Sequence, residues 1–155
     1  MAEIPDVGVR ATLHPLEMLI AGTDELLWRQ VNPVWVQDGV LTSQIFRRSS
    51  TEPNGFSVGR ESLVTAERSY EFFTEELNLA SCGVWAISVE EVDAVDMLVI
   101  DDSQLPLRPG ERRAPGHAYV DGRHLPGKAQ LTRAKYLRDA ATARGRQWPA
   151  ESLAN

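Results

Sequence analysis

Arg29 is the one charge in the run Leu26-Leu27-Trp28-Arg29-Gln30-Val31. A guanidinium withdrawn from water in such company must meet a carboxylate, a cluster of carbonyls or an anionic ligand. One outcome is a buried ion pair with one of the chain's many acids, and the other is a grip on a ligand. Gln44 and Ser57, with Gln30 and Ser43 beside them, offer neutral hydrogen-bonding groups on neighbouring extended segments. His117 opens a short apolar run straight after a long segment rich in proline and glycine, where a scaffold commonly holds binding groups. Its plainer reading is a half-buried structural histidine. Together these residues predict one polar cleft lined by Arg29, Gln44, Ser57 and His117, between the first hairpin and the strand that follows the long loop. A cation, two neutral groups and a titratable imidazole suit a small anionic or nucleotide-like ligand and specify no reaction. If Arg29 and His117 lie on opposite faces of the sheet, that cleft does not exist, and an interaction protein is then the preferred reading.

Other chemistry is thinly represented. The chain lacks a phosphate-cradling Gly-x-x-x-x-Gly-Lys, a dinucleotide fingerprint, a Gly-x-Ser-x-Gly elbow and a His-Glu-x-x-His pair. His14, His117 and His124 are too scattered for a zinc shell, so no metal is expected. Asp101 and Asp102 close an apolar run, a place where acids hold Mg²⁺ in phosphate-handling enzymes; without a phosphate loop, turn and cap chemistry is the better account. Lys128, Arg133, Lys135, Arg138, Arg144 and Arg146 stand against Asp139 near the C-terminus. That excess reads first as a solvated helix face, with an anionic partner such as RNA as the lesser reading.

Composition limits the class of protein. A chain of 155 residues is expected to build one core and one domain. Apolar residues at 43% and charged residues at 25% place it among globular proteins rather than disordered ones. A net charge of -6 disfavours phosphate backbones and anionic membranes as partners. The lone Cys82 calls for no oxidising compartment, the first residues carry no secretory signal, and no stretch is long and apolar enough to cross a bilayer. The cytoplasm is the expected location.

The elements that must position the candidates follow from periodicity and turn residues. The first ten residues read as an irregular arm and Leu13 to Ile20 as a short helix, with Pro15 in its first turn. Leu26 to Val31 reads as a buried strand stopped by Asn32-Pro33. Val34-Trp35-Val36, the turn Asp38-Gly39 and Leu41 to Phe46 read as a hairpin. Arg47 to Gly55 is a polar loop, and Phe56-Ser57-Val58 a short strand. Ala66, Tyr70, Phe73 and Leu77 form one stripe of a helix. Val84 to Ile87 suits a central strand, and Ser88-Val89-Glu90-Glu91 a capping box that starts another helix. Met97 to Ile100 and His117 to Val120 read as strands, residues 105–116 as a mobile loop, Leu131 to Ala143 as the last helix, and residues 147–155 as a tail. The fold class expected is α+β, a small mixed or antiparallel sheet with two or three packed helices.

The run Trp28-Arg29-Gln30-Val31-Asn32-Pro33, with Ser43-Gln44-Ile45-Phe46 and Phe56-Ser57-Val58, resembles an uncharacterised bacterial protein family. Its members have similar Trp-Arg-Gln-Val-His-Pro, Ser-Gln-x-Phe and Leu-Ser-Val elements, and this chain has Asn32 and Phe56 at the two departures. Cys82-Gly83-Val84-Trp85 and His117 extend the likeness, which implies a self-contained domain and imports no activity. A second likeness is to ADP-ribosyltransferase-like toxins, including the RES type. It implies NAD as cofactor or substrate, Arg29 on a phosphate, Ser57 on a following strand, and Glu67 or Glu91 as the acid. Two functions therefore stay open, with no cofactor under the first. One is a binding or interaction protein, for example an accessory or immunity-type component of a bacterial or phage operon with a protein partner; the other is a small NAD-consuming enzyme.

Overall fold

Alternating burial along short strands organises the chain. The computed structural model describes residues 13–150. Strands β1 (Met18–Ile20), β2 (Leu26–Gln30), β5 (Phe56–Arg60), β6 (Val84–Ser88), β7 (Leu98–Asp101) and β8 (His117–Asp121) form a six-stranded sheet ordered β1-β7-β8-β5-β2-β6. Every neighbouring pair is antiparallel. Strands β3 (Val36–Gln37) and β4 (Val40–Leu41) make a separate hairpin. Its turn residues Asp38 and Gly39 both have positive φ, 52° and 77°, as a tight hairpin turn requires. The helices are α1 (Ala66–Glu71), α2 (Val89–Ala94) and α3 (Gly127–Arg144). The architecture is a single α+β domain, as expected from the sequence.

One face of the sheet carries Leu27, Val58, Ile87, Val99, Ala118 and Val120, all buried in the main core. Helix α3 closes this face with Ala134, Leu137 and Ala141, spaced three and four residues apart, and with the short 3₁₀ turn Ser43–Phe46 beside it. The opposite face carries Trp28, Val84 and Ala86 under Val64, Ala66 and Tyr70 at one end, and Leu98, Ile100 and Tyr119 at the other. Between these two patches the second face is open. The side chains there are Gln30, Ser57 and His117, with Gly59 between them covered by Val64 and Ser69.

Local capping agrees with the sequence at two helix starts. Thr65 Oγ1 accepts the Arg68 amide ahead of α1, and Ser88 and Glu91 close the anticipated capping box ahead of α2. After α1 the chain widens into a π-type turn, Phe72–Glu76, a feature often found beside functional sites.

Three readings need correction or narrowing. Leu13 to Ile20 is no helix: a turn at His14–Glu17 leads into β1, whose Leu19 and Ile20 pair with Ile100 and Val99. Eight residues cannot distinguish the two periods, and an unpaired edge of β7 decides for strand. Leu41 to Phe46 does not continue as a hairpin arm, because after Leu41 the chain turns into 3₁₀ geometry that buries Ile45 and Phe46 against α3. The segment from residue 147 is docked where the structure describes it, with Trp148 bridged to Val84 on the edge of β6. The arm at residues 1–10 lies outside the described residues. No described helix is long and apolar enough to cross a membrane.

Candidate functional site

The open part of the second face forms a cleft of about 490 Å³. Its floor is β2, β5 and β8, which contribute Trp28, Gln30, Ser57, Gly59 and His117. One wall is the end of α1 and the π-type turn with Ser69, Phe73 and Leu77; another is the loop carrying Glu111, Arg112 and Arg113; Ser49, Thr51 and Glu52 close the far end. At Gly59 the floor is covered by Val64 and Ser69, which pack directly on the glycine. A Cβ there would stand 3.2 Å from Val64 Cγ1, 3.4 Å from Ser69 Oγ and 3.5 Å from Trp28 Cδ1, so any larger side chain would fill the space.

Trp28, Gln30 and His117 on the floor are each fixed by a partner. Trp28 Nε1 donates to the Val64 carbonyl at 2.8 Å, which leaves its ring edge as cleft surface. Gln30 Nε2 donates to Ser69 Oγ at 3.1 Å, while Gln30 Oε1 accepts from Ser81 Oγ at 2.9 Å. Asp102 Oδ1 stands 2.6 Å from His117 Nδ1. That contact fixes the imidazole plane and leaves Nε2 without a partner among the described residues.

Arg29 is in a different position. Strand alternation turns its side chain toward the main core, on the face opposite His117, where it is 4% exposed. Nε donates to the Ile45 carbonyl at 2.8 Å, and one terminal nitrogen donates to Glu52 Oε2 at 2.8 Å and to the Ser57 carbonyl at 3.0 Å. The Trp35 and Phe56 rings each lie 5.2 Å from the guanidinium carbon. Burial alone would raise the Glu52 pKa, but the Arg29 charge and hydrogen bonds, with amide donors from Ser57 and Ser49, pull it down to about 2. Arg29 still borders the cleft because pairing between β2 and β5 stops at Trp28↔Gly59. The strands part there, and the Arg29–Glu52 pair plugs the opening.

The cleft expected from Arg29, Gln44, Ser57 and His117 is therefore not formed as such: Arg29 and His117 lie on opposite faces of the sheet, Ser57 and His117 share the face that holds the cleft, and Arg29 borders it only as a structural plug. Gln44 does not join them. It lies exposed on the 3₁₀ turn, whose tight period sends Ile45 and Phe46 inward and Gln44 out. Asp102, expected in turn chemistry, instead holds His117, and Glu52 and Gly59 carry no signal in the sequence that marks them as cleft residues. Alternation was the usable signal for Asp102: its neighbour Asp101 turns to the core face and pairs with Arg60 at 2.6 Å, so the next residue points to the other face. Glu67 and Glu91, the acids implied by the toxin likeness, do not line the cleft, and Glu91 pairs with Arg144 at 2.8 Å.

The cleft lining holds three arginines, Arg29, Arg112 and Arg113, and three carboxylates, Glu52, Asp102 and Glu111, so it does not share the chain's negative surplus. Arg113 is occupied by the carbonyls of Asp102, Ser103 and Leu105. Arg112 is 58% exposed, with Glu76 at 4.0 Å as its ion-pair partner. No group of three or more acid, histidine or cysteine side chains suited to a metal occurs among the described residues. The chain matches no family model, no curated protein and no solved structure.

Proposed function

We propose that this protein binds a small anionic, ring-bearing molecule of nucleotide size in the cleft above β2, β5 and β8. The supporting observation is the cleft itself: its volume falls in the range of small-ligand sites, and its lining sets apolar surface from Phe73, Leu77 and Leu79 beside fixed polar and charged groups. Phe73 and Trp35 present partly exposed rings for a flat group. Gln30, Ser69 and His117 offer hydrogen bonds at its edge, and Arg112 supplies a cation at the rim. Arg29 faces away from His117, the arrangement that speaks for an interaction protein, and the ligand reading is preferred here on the volume and fixed polar groups of the cleft on the His117 face alone. Arg29 has little donor capacity left for a phosphate.

Thermal unfolding with ADP, NAD and benzoate as probes tests the proposal. A saturable rise in Tm is expected with at least one of them, reduced by about tenfold in affinity in Arg112→Glu, the cost of one rim ion contact. No shift with any probe at millimolar concentration overturns it. Recovering NAD intact after incubation supports a receptor, whereas its consumption would replace the binding reading with the NAD-consuming one.

A further inference from the structure

Within the proposed binding cleft, Asp102 and His117 stand side by side on neighbouring strands, and Ser57 lies on the next strand, two residues along from the position opposite His117. The sheet order β7-β8-β5 sets Asp102, just past β7, beside His117 on β8, with β5 on the other side of β8. The register pairs Gly59 with His117 and Ser57 with Tyr119, so Ser57 and His117 are diagonal neighbours on one face. Diagonal partners of this kind lie within reach of a side chain as long as histidine's. Gly59, directly opposite His117, has no side chain to stand against the imidazole, and Val64 and Ser69 pack over it instead. Asp102 holds Nδ1, on the β7 side of the ring. Ser57 Oγ and His117 Nε2 both border the cleft, and neither has a hydrogen-bond partner among the described residues.

We infer that Ser57, His117 and Asp102 form a nucleophile, base and orienting acid that hydrolyse a carboxylic ester seated in the cleft. The inference rests on the cleft being a ligand site. An exposed hydroxyl, an unpartnered imidazole nitrogen and a carboxylate on the other ring nitrogen are the recurring parts of such a relay, which appears on unrelated folds. Unliganded enzymes often leave the hydroxyl–imidazole contact long, to tighten with substrate in place. Ser57 Oγ attacks the ester carbonyl carbon while its proton passes to His117 Nε2. The imidazolium, stabilised by Asp102, gives that proton to the departing alkoxide, which leaves as an alcohol. Water then attacks the acyl-Ser57 carbonyl with Nε2 taking its proton; the acid is released and Ser57 Oγ is protonated again. An ester with an anionic group fits best, because Arg112 stands on the rim.

A fluorophosphonate probe on the full chain, read by intact mass and peptide mapping, tests this directly. One addition is expected, on Ser57, absent in Ser57→Ala. Labelling should slow by about a hundredfold or more in His117→Asn, and nitrophenyl acetate hydrolysis should fall in parallel. Asp102→Asn should slow both and shift the pH profile of labelling, a change that loss of packing alone would not produce. Labelling elsewhere, no labelling, or equal rates in wild type and His117→Asn overturns the relay. The probe-induced rise in Tm measured beside it separates the two readings: a rise retained by Ser57→Ala without labelling of the wild type sinks the relay and leaves the ligand site, and loss of both sinks both.

Discussion

Arg29–Glu52 and His117–Asp102 are both charged or chargeable pairs on the rim of one cleft, yet they are built to opposite ends. The Arg29 guanidinium is nearly fully buried, and its donors are taken by a carboxylate and two backbone carbonyls while two rings flank it. The His117 imidazole keeps one nitrogen unspent and its side chain 18% exposed. A group whose capacity is used up inside the protein serves the fold, and a group held firmly with capacity left over can serve a ligand. The difference is visible in saturation, not in residue type.

If that contrast holds, the largest stability loss belongs to Arg29→Ala. Removing one partner of a buried pair leaves the other charge uncompensated, at a cost of about 3–5 kcal/mol. Here the substitution also strips the plug from the gap between β2 and β5 and a donor from the Ile45 and Ser57 carbonyls. Urea unfolding should show that loss, with Arg29→Lys recovering only part of it because an ammonium cannot serve carboxylate and carbonyls in a fork. A change below about 1 kcal/mol, the scale of surface pairs, would erase the distinction between the two sites.

The next effect is on acid sensitivity. Glu52 in the folded chain titrates at about 2 against an ordinary 4.5. Its stabilising contribution is therefore complete above 4.5 and disappears as pH falls through that interval toward 2. At roughly 1.36 kcal/mol per unit, the amount is about 3 kcal/mol. Glu25, Glu91 and Asp101 are also held below their usual values by hydrogen bonds and arginine partners that outweigh their burial, so the wild type has other acid-labile contacts as well. The measurement that isolates Glu52 is the difference in unfolding free energy between wild type and Glu52→Gln, followed from pH 7 to pH 2.5. It should shrink toward the acid end. A constant difference would mean that Arg29 does not hold Glu52 ionised.

How much of this could be read from the sequence divides along the same line. The burial of Arg29 was legible because its neighbours on both sides are apolar within one short segment, and the α2 capping box because all its residues lie within four positions. Strands β5, β7 and β8 and helix α3 were legible from local pattern, though each runs a residue or more past its expected ends. Glu52 was not, since the loop that carries it has no periodicity to say which side chain turns inward. The role of Asp102 was hidden because it depends on strand order, and β7 joins β8 through residues 105–116, which leave the register unmarked in local sequence. Leu13 to Ile20 failed for the same reason: the edge that captures it as β1 is some eighty residues away. Gln44 was misjudged because an extended reading of Leu41 to Phe46 gave it a direction that the 3₁₀ turn reverses.

The smallest stability effect should come from His117→Asn, and it is the sharpest test of the contrast. Asparagine keeps a polar group over Asp102 but removes the ring nitrogen that faces the cleft. Asp102 lies next to open solvent space rather than in the core, so water can replace a lost donor, and the cost should stay near the net worth of one hydrogen bond, about 1 kcal/mol. Arg113 still holds the Asp102, Ser103 and Leu105 carbonyls, which keeps the loop beside it in place. Far-UV and near-UV circular dichroism should match wild type. The same variant should lose most of its response to whichever probe raises the wild-type Tm, because the nitrogen it deletes is the one with no other partner. A double-mutant cycle with Asp102→Asn sharpens the reading: the coupling energy in unfolding should be small, while the effects on probe response should be strongly non-additive, as for two residues acting as one unit. Large coupling in stability with little change in probe response would put His117 in the same class as Arg29, a group spent on the fold.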